Sequence, residues 1–317
     1  MTNDHPSNGA TNGHAGGPPP WVTAAAEGPR RAQSPHGKQF VKFSFFRVRD
    51  DVRAMKRKRR RTLGEQLAEL LDQSGQRMLT RVYSTVGSRA DTDFLVWQVA
   101  DDLDTIMDWH AELLDSLLGW ALERPHSLLS MTMRSQYQNQ YTPGIEQRDR
   151  FRSDGGTSDW LFVYPMAKTK DWYQASATRR SRAMAEHISI GHAYPGIKIN
   201  TTYSYGLDDQ EFVVAFEGDS PGQFLALVKD LRVSDATSFT EFDTPMFTCR
   251  RMSIGELVDH VGLGKGVRGR PSKAKSTATE AASAASTPTE AVSAASTRTD
   301  AASAAGSAES PAAVDGA

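Results

Sequence analysis

Residues 160–192 read WLFVYPMAKTKDWYQASATRRSRAMAEHISIGH, and this stretch decides the fold. Residues 160–166 are dense in aromatic and β-branched side chains and predict a strand. Residues 171–192 predict a helix that closes before Pro195. This one strand–helix unit carries a phenol (Tyr164), an ammonium (Lys168) and an imidazole (His187) within 24 residues. A phenol can hold a radical, an ammonium can hold a carboxylate, and an imidazole can hold a metal.

Working outward, residues 196–205 and 211–217 predict two strands across the turn Gly206-Leu207-Asp208-Asp209. Residues 221–233 predict a helix with Phe224, Leu225, Leu227, Val228 and Leu231 along one side, and 246–249 a short last strand. The same series precedes it. Strands are expected at 39–48, 78–86, 94–99 and 127–137, and helices at 51–72 and 103–122. The second of these helices is strongly amphipathic through Ile106, Met107, Trp109, Leu113, Leu114, Leu117 and Leu118. Two consecutive β-α-β-β-α-β blocks predict an α+β protein with a duplicated ferredoxin-like fold, of the dimeric α+β barrel type. The first half spans 38–137 and is expected to hold no cofactor. The second spans 159–262 and carries the site. A polar linker at 138–158 joins them, long enough to have a function of its own.

Both ends lack a core-forming pattern. Residues 1–37 are rich in Asn, Gly, Pro and Ser and read as a disordered leader. From Thr277 the chain repeats every ten residues as TATEAASAAS, TPTEAVSAAS and TRTDAASAAG. Such segments bury too little apolar surface to offset chain entropy, so 263–317 read as a basic and then Ala/Ser/Thr-rich disordered tail. The leader has no secretory h-region and no apolar run approaches a membrane span, so a cytoplasmic protein without a membrane anchor is expected. The single cysteine, Cys249, excludes a disulfide framework, a zinc–thiolate site and an iron–sulfur cluster. A net charge of −1 gives no general affinity for nucleic acid. The basic run Lys56–Arg61 falls in a helix and wraps around it. Arg268-Gly269-Arg270-Pro271 is a single short copy of a minor-groove pattern, read as a solubilising hinge.

The second half resembles the chlorite dismutase-like haem family, which includes the coproheme decarboxylases. The resemblance rests on Y-P-M-x-K from Tyr164, W-Y at Trp172, and M-x-E-H-x-x-x-G through His187. It continues in G-L-D-D-x-E-F from Gly206 and in L-R-x-S-D before D-T-P. These motifs cover about 160–250 in order. The first half shares the architecture more than the motifs.

The resemblance implies an iron porphyrin on the second half, with His187 as proximal ligand and Asp235 accepting from its other ring nitrogen. From spacing alone, a helical histidine near the core is the commoner reading of His187. Tyr164 corresponds to the radical relay of decarboxylating relatives, and its plain alternative is a core aromatic. Lys168 corresponds to a propionate-binding lysine. Arg150 is the linker arginine best placed for a second carboxylate, and Trp172 is expected to line the pocket.

The distal position lies on the strand after the helix, at Ile199 by one alignment and Asn200 by another. Neither is the arginine that chlorite dismutases place there. One group of relatives has glutamine at that position, which Asn200 imitates in part. Another has a small residue there and a distal histidine in the linker, where this chain has Gln147 nearest by spacing. The implied activity is peroxide-dependent decarboxylation of two propionates of coproheme to give haem b, through a radical on Tyr164. The implied partners are coproheme, hydrogen peroxide and further copies of the chain in a ring, commonly a pentamer. A haem peroxidase or chlorite-decomposing enzyme of the same fold, and a nonenzymatic haem-binding protein, remain alternatives at this point.

Overall fold

A computed structural model describes residues 38–133 and 158–265, all within one unit that spans Met1–Gly269. The expected leader, and nearly all of the linker and tail, lie outside the described residues. So do Gln147, Arg150 and Arg268–Pro271.

The first half runs β1 (Phe40–Val48), α1 (Asp50–Ala54), α2 (Arg57–Arg77), β2 (Leu79–Ser84), β3 (Phe94–Ala100), α3 (Leu103–Asp115), α4 (Leu117–Ala121) and β4 (Leu122–Met131). The second runs β5 (Trp160–Lys168), α5 (Lys170–Gln174), α6 (Ala177–His192), β6 (Ile197–Tyr203), β7 (Phe212–Gly218) and α7 (Pro221–Leu231). It ends with a 3₁₀ turn (Asp235–Phe239), β8 (Thr240–Phe242), β9 (Phe247–Met252) and α8 (Ile254–His260). Each half pairs its four main strands antiparallel in the ferredoxin-like order, β4-β1-β3-β2 and β6-β7-β5-β9.

The halves join at both edges. Met131 of β4 pairs with Tyr203 of β6, and Val82–Ser84 of β2 pair with Arg250–Met252 of β9. With β5 pairing both β7 and β9, the hydrogen bonds close a ring of eight strands, and β8 adds to the end of β5. A closed ring leaves no long strand edge exposed.

Alternation sorts the side chains into layers. Val41, Phe43, Phe45, Tyr83, Trp97, Leu161, Val163, Val213, Ala215 and Phe247 point into the ring and form one core from both halves. Phe40, Phe46 and Val48 point outward under α2 and α3. Because β1 is buried on both faces, its sequence is nearly continuous in apolar residues.

Several expected helices are divided. The helix expected at 103–122 breaks at Ser116, whose Oγ accepts from the Leu118 N–H and starts α4 as an N-cap. Ser176 starts α6 in the same way by accepting from Arg179 N, so 171–192 is two helices around an extended Ala175-Ser176 link. Residues 51–72 likewise divide into α1 and α2 around Met55 and Lys56, and α2 runs on to Arg77. Strand β4 begins at Leu122, five residues earlier than expected. Its register against β1 shifts between the Phe45–His126 and Arg47–Glu123 pairs, which accommodates Pro125 in a bulge.

Helix α8 was not expected. It returns to the first half, where Leu257, Val258, Val261 and Leu263 complete the core over α2. Leu263, assigned from sequence to the tail, is fully buried there.

Candidate functional site

Helix α6 presents one face at i, i+3 and i+4 spacing, Ala183, Met184, His187, Ile190 and Gly191, and Tyr194 follows just beyond its end. At one end, Ala183 and Met184 pack in a small cluster with Trp172, Ala236 and Phe239. At the other, Ile190 and Tyr194 pack against Phe162, Tyr164, Ile197, Val214 and Phe216 of the sheet. His187 lies between the two clusters, with the smallest residues of the face, Ala183 and Gly191, one turn to either side.

The His187 Nδ1 lies 3.2 Å from Ser234 Oγ, and its Nε2 makes no hydrogen bond among the described residues. Burial, with Lys168 nearby, lowers its pKa to about 4 against the opposing pull of Glu186. The ring is therefore neutral at physiological pH, the form that ligates a metal. The expectation that Asp235 holds this imidazole is corrected here. The turn after α7 directs Ser234 to the ring, while Asp235 donates its backbone N–H to Glu186 Oε2 at 3.1 Å. Adjacent residues of α6 thus grip adjacent residues of the turn.

The sheet face under α6 follows from the register. Tyr164 is opposite Val214, and Val214 is opposite Thr201; Phe162 is opposite Phe216, and Phe216 is opposite Ile199. The Tyr164 and Phe216 rings stack at 5.9 Å between centroids. Burial raises the Tyr164 pKa, helped by Asp243 and opposed by Arg232, which pair with each other at 2.6 Å.

Ile199 stands on this face, where a Cβ added to Gly191 would meet its Cδ1 at 3.4 Å. Asn200 does not. Its Nδ2 donates to Glu217 Oε1 at 3.0 Å, and Glu217 also pairs with Lys198 and the buried Arg81. Asn200 therefore points into the ring, away from the face that α6 covers, so of the two strand candidates only Ile199 stands on that face.

Lys168 ends β5 behind α6. Its Nζ donates to Ala236 O at 2.8 Å and Thr240 Oγ1 at 3.3 Å, and lies 5.2 Å from the Trp172 ring centroid. Desolvation lowers its pKa to about 8, against the attraction of Glu211 and Asp243. Trp172 packs on Phe239 at 5.4 Å in the small cluster. The structure thus puts Tyr164 and Ile199 on the sheet face that α6 covers and His187 on α6 one turn before Ile190 and Gly191, while Lys168 and Trp172 meet each other beside the 3₁₀ turn.

Sequence reasoning missed Ser234, Phe216 and the Arg232–Asp243 pair. Ser234 stands in the L-R-x-S-D motif one residue before the aspartate chosen from it. A separate cavity of about 440 Å³ lies on the first half, between α3 and strands β1 and β4, and is lined by Lys42, Ser44, His110 and Arg124 among others. It contains none of the candidate site residues.

Among the described residues, no group of three or more His, Cys, Asp or Glu side chains is placed to hold a metal ion. His187 alone suits a metal that brings its other ligands with it, and the residues at i−4 and i+4 from it, Ala183 and Gly191, are small.

The chain is similar to coproheme decarboxylase of Mycolicibacterium smegmatis, 26% identical over 206 residues that cover 62% of this chain and 87% of that protein. It is 37% identical to coproheme decarboxylase of Staphylococcus carnosus over 86 residues, 26% of this chain and 34% of the other. Among solved structures, chlorite dismutase from Candidatus Nitrospira defluvii in complex with imidazole shares the fold. Its TM-score is 0.65 at 19% identity, covering 72% of this chain and 97% of that one. The chlorite dismutase family model matches residues 60–252, more than half of the sequence and most of both ferredoxin-like halves. The ring of strands and the sequence match agree, and the chain belongs to the chlorite dismutase family.

Proposed function

We propose that the protein binds coproheme on His187 and converts it to haem b by peroxide-dependent decarboxylation of two propionates, with Tyr164 as the radical relay. One observation carries this reading: Tyr164 and Ile199 share the sheet face covered by α6, so a phenol is present there and the strand position expected to carry a distal cation holds an isoleucine. Chlorite decomposition needs a cation to hold an anionic substrate and product near the metal. The relative from M. smegmatis, matched over most of its length, is named for coproheme decarboxylation.

When bound, the iron porphyrin supplies the redox chemistry with peroxide and is also the compound altered. Each propionate, with one hydrogen peroxide and one proton, gives a vinyl group, carbon dioxide and two waters. His187 would hold the iron through its Nε2 lone pair. Tyr164 sits in surroundings that disfavour phenolate. Loss of a hydrogen atom leaves a neutral radical, so the same apolar packing tolerates that change. Lys168, now held by Ala236 O and Thr240 Oγ1, has the charge to receive a carboxylate by exchanging those partners. Arg150, Trp172 and Gln147 remain part of the proposal as further carboxylate, wall and distal groups.

No helix among the described residues is long and apolar enough to cross a membrane. A cytoplasmic location belongs to the proposal, supported by the single, buried and free Cys249. Assembly into a ring of copies belongs to it as well, supported by the exposed Met107, Leu114, Leu117 and Trp120 on α3 and α4.

The test is a pair of assays on coproheme-loaded protein: oxygen release from chlorite, and porphyrin modification by peroxide. Modification without oxygen release supports the proposal. Rapid oxygen release with an unaltered porphyrin overturns it.

A further inference from the structure

We infer that Ser234 is the positioning residue of His187, holding the imidazole with its proton on Nδ1 and its lone pair on Nε2. The inference rests on the proposed function only for its catalytic meaning; the geometry stands without it.

Three protons are shared among Thr237, Ser234 and His187. Thr237 Oγ1 donates to Leu231 O at 2.7 Å, which uses its only proton. The Ser234 hydroxyl has three neighbours: Leu231 O at 2.8 Å, Thr237 Oγ1 at 3.2 Å and His187 Nδ1 at 3.2 Å. The shortest contact, to a carbonyl that can only accept, takes the serine proton. Ser234 Oγ is then left as an acceptor toward the ring, and the remaining proton in the contact must come from Nδ1. A neutral imidazole with N–H at Nδ1 has its lone pair at Nε2, the nitrogen without a partner. The carbonyl of Leu231, at the end of α7, thus orients two hydroxyls, and one of them orients the histidine on α6.

The acceptor is a neutral hydroxyl, where the resemblance implied a carboxylate. A carboxylate draws the Nδ1 proton strongly and makes the imidazole a stronger donor to a metal. A serine whose own proton is committed elsewhere fixes the tautomer and the ring plane while adding little to the ligand's basicity. Ser234 therefore sets which nitrogen is offered, and does so with a neutral partner.

The test needs no porphyrin. Long-range nitrogen–proton NMR correlation on the uniformly nitrogen-15-labelled, full-length apoprotein identifies which ring nitrogen of His187 is protonated, with His187→Gln supplying the assignment. The expected result is protonated Nδ1 and bare Nε2 in the wild type. Ser234→Ala is expected to move the proton largely to Nε2, the preferred tautomer of a free neutral imidazole, and Ser234→Thr to restore it. A wild-type ring protonated on Nε2 overturns the inference, as does an unchanged Nδ1–H in a folded Ser234→Ala. Should the alanine variant not fold, the wild-type spectrum alone decides. Absence of decarboxylation with the Nδ1–H tautomer intact would sink the proposed function and leave this inference standing.

Discussion

Asn200 Nδ2 lies 3.0 Å from Glu217 Oε1 inside the strand ring, while its neighbour Ile199 faces α6 from the outer surface. Two adjacent residues thus belong to different parts of the molecule. Asn200→Ala is expected to cost about 1–3 kcal/mol of stability, because it removes a hydrogen bond to a buried carboxylate. Its coproheme affinity should stay at the wild-type level. Ile199→Asp should do the reverse, weakening coproheme binding with little loss of stability at this half-exposed position. Urea unfolding and porphyrin titration read the two effects, and a matched loss of affinity in both variants would contradict the assignment of faces.

Tyr164→Phe keeps the ring, its stacking on Phe216 and the packing under α6. Coproheme should bind the variant as it binds the wild type. Decarboxylation should fall by more than about 100-fold, equivalent to ~2.7 kcal/mol of barrier. Product analysis after peroxide addition measures this, and full turnover in the variant would remove Tyr164 from the chemistry.

Ser234→Asp places a carboxylate where the structure has a neutral acceptor. With haem b bound, the variant should have a lower midpoint potential than the wild type, since a more basic imidazole favours the ferric state. Spectroelectrochemical titration provides the comparison. An unchanged or higher potential would contradict the role given to the hydroxyl.

His110 supplies a pH prediction away from the site. Burial lowers its pKa from 6.5 to about 4, with Lys42 and Arg124 adding to the effect, and its Nε2 lies 3.2 Å from Ser44 Oγ. The unfolded chain binds this proton below about 6.5 and the folded chain only below about 4. Stability is therefore highest above pH 6.5 and is lost as pH falls toward 4, by about 1–3 kcal/mol for this residue. Apoprotein unfolded in urea across that range should show the loss. His110→Gln should show a shallower dependence, and an unchanged slope would contradict the assignment.

The ferredoxin-like halves were legible because strand alternation and helical spacing are local signals. Tyr164, Lys168 and His187 could be singled out as candidates because their motif lies within one strand–helix unit. The choice between Ile199 and Asn200 was not. A one-residue shift turns every side chain of a strand to the other face, and the strand 197–203 carries no apolar alternation strong enough to fix it. The choice of Asp235 over Ser234 failed for a related reason, since a tight turn changes direction within one residue. Helix α8 left a usable signal in the Ser253–Glu256 capping box, but seven residues are too few for a periodic pattern. Closure of the ring through Met131–Tyr203 depends on contacts between residues far apart in sequence, which no local pattern encodes.

On the proposed function, the porphyrin held on His187 is itself the substrate. The most direct test is an anaerobic coproheme complex of the full-length protein, titrated with hydrogen peroxide, with the porphyrins weighed after each addition. The account predicts a three-carboxylate intermediate and then haem b, each step losing one carbon dioxide and two hydrogen atoms, and neither product in His187→Ala. Bleaching of the porphyrin without these discrete products, or four carboxylates surviving excess peroxide, would contradict it.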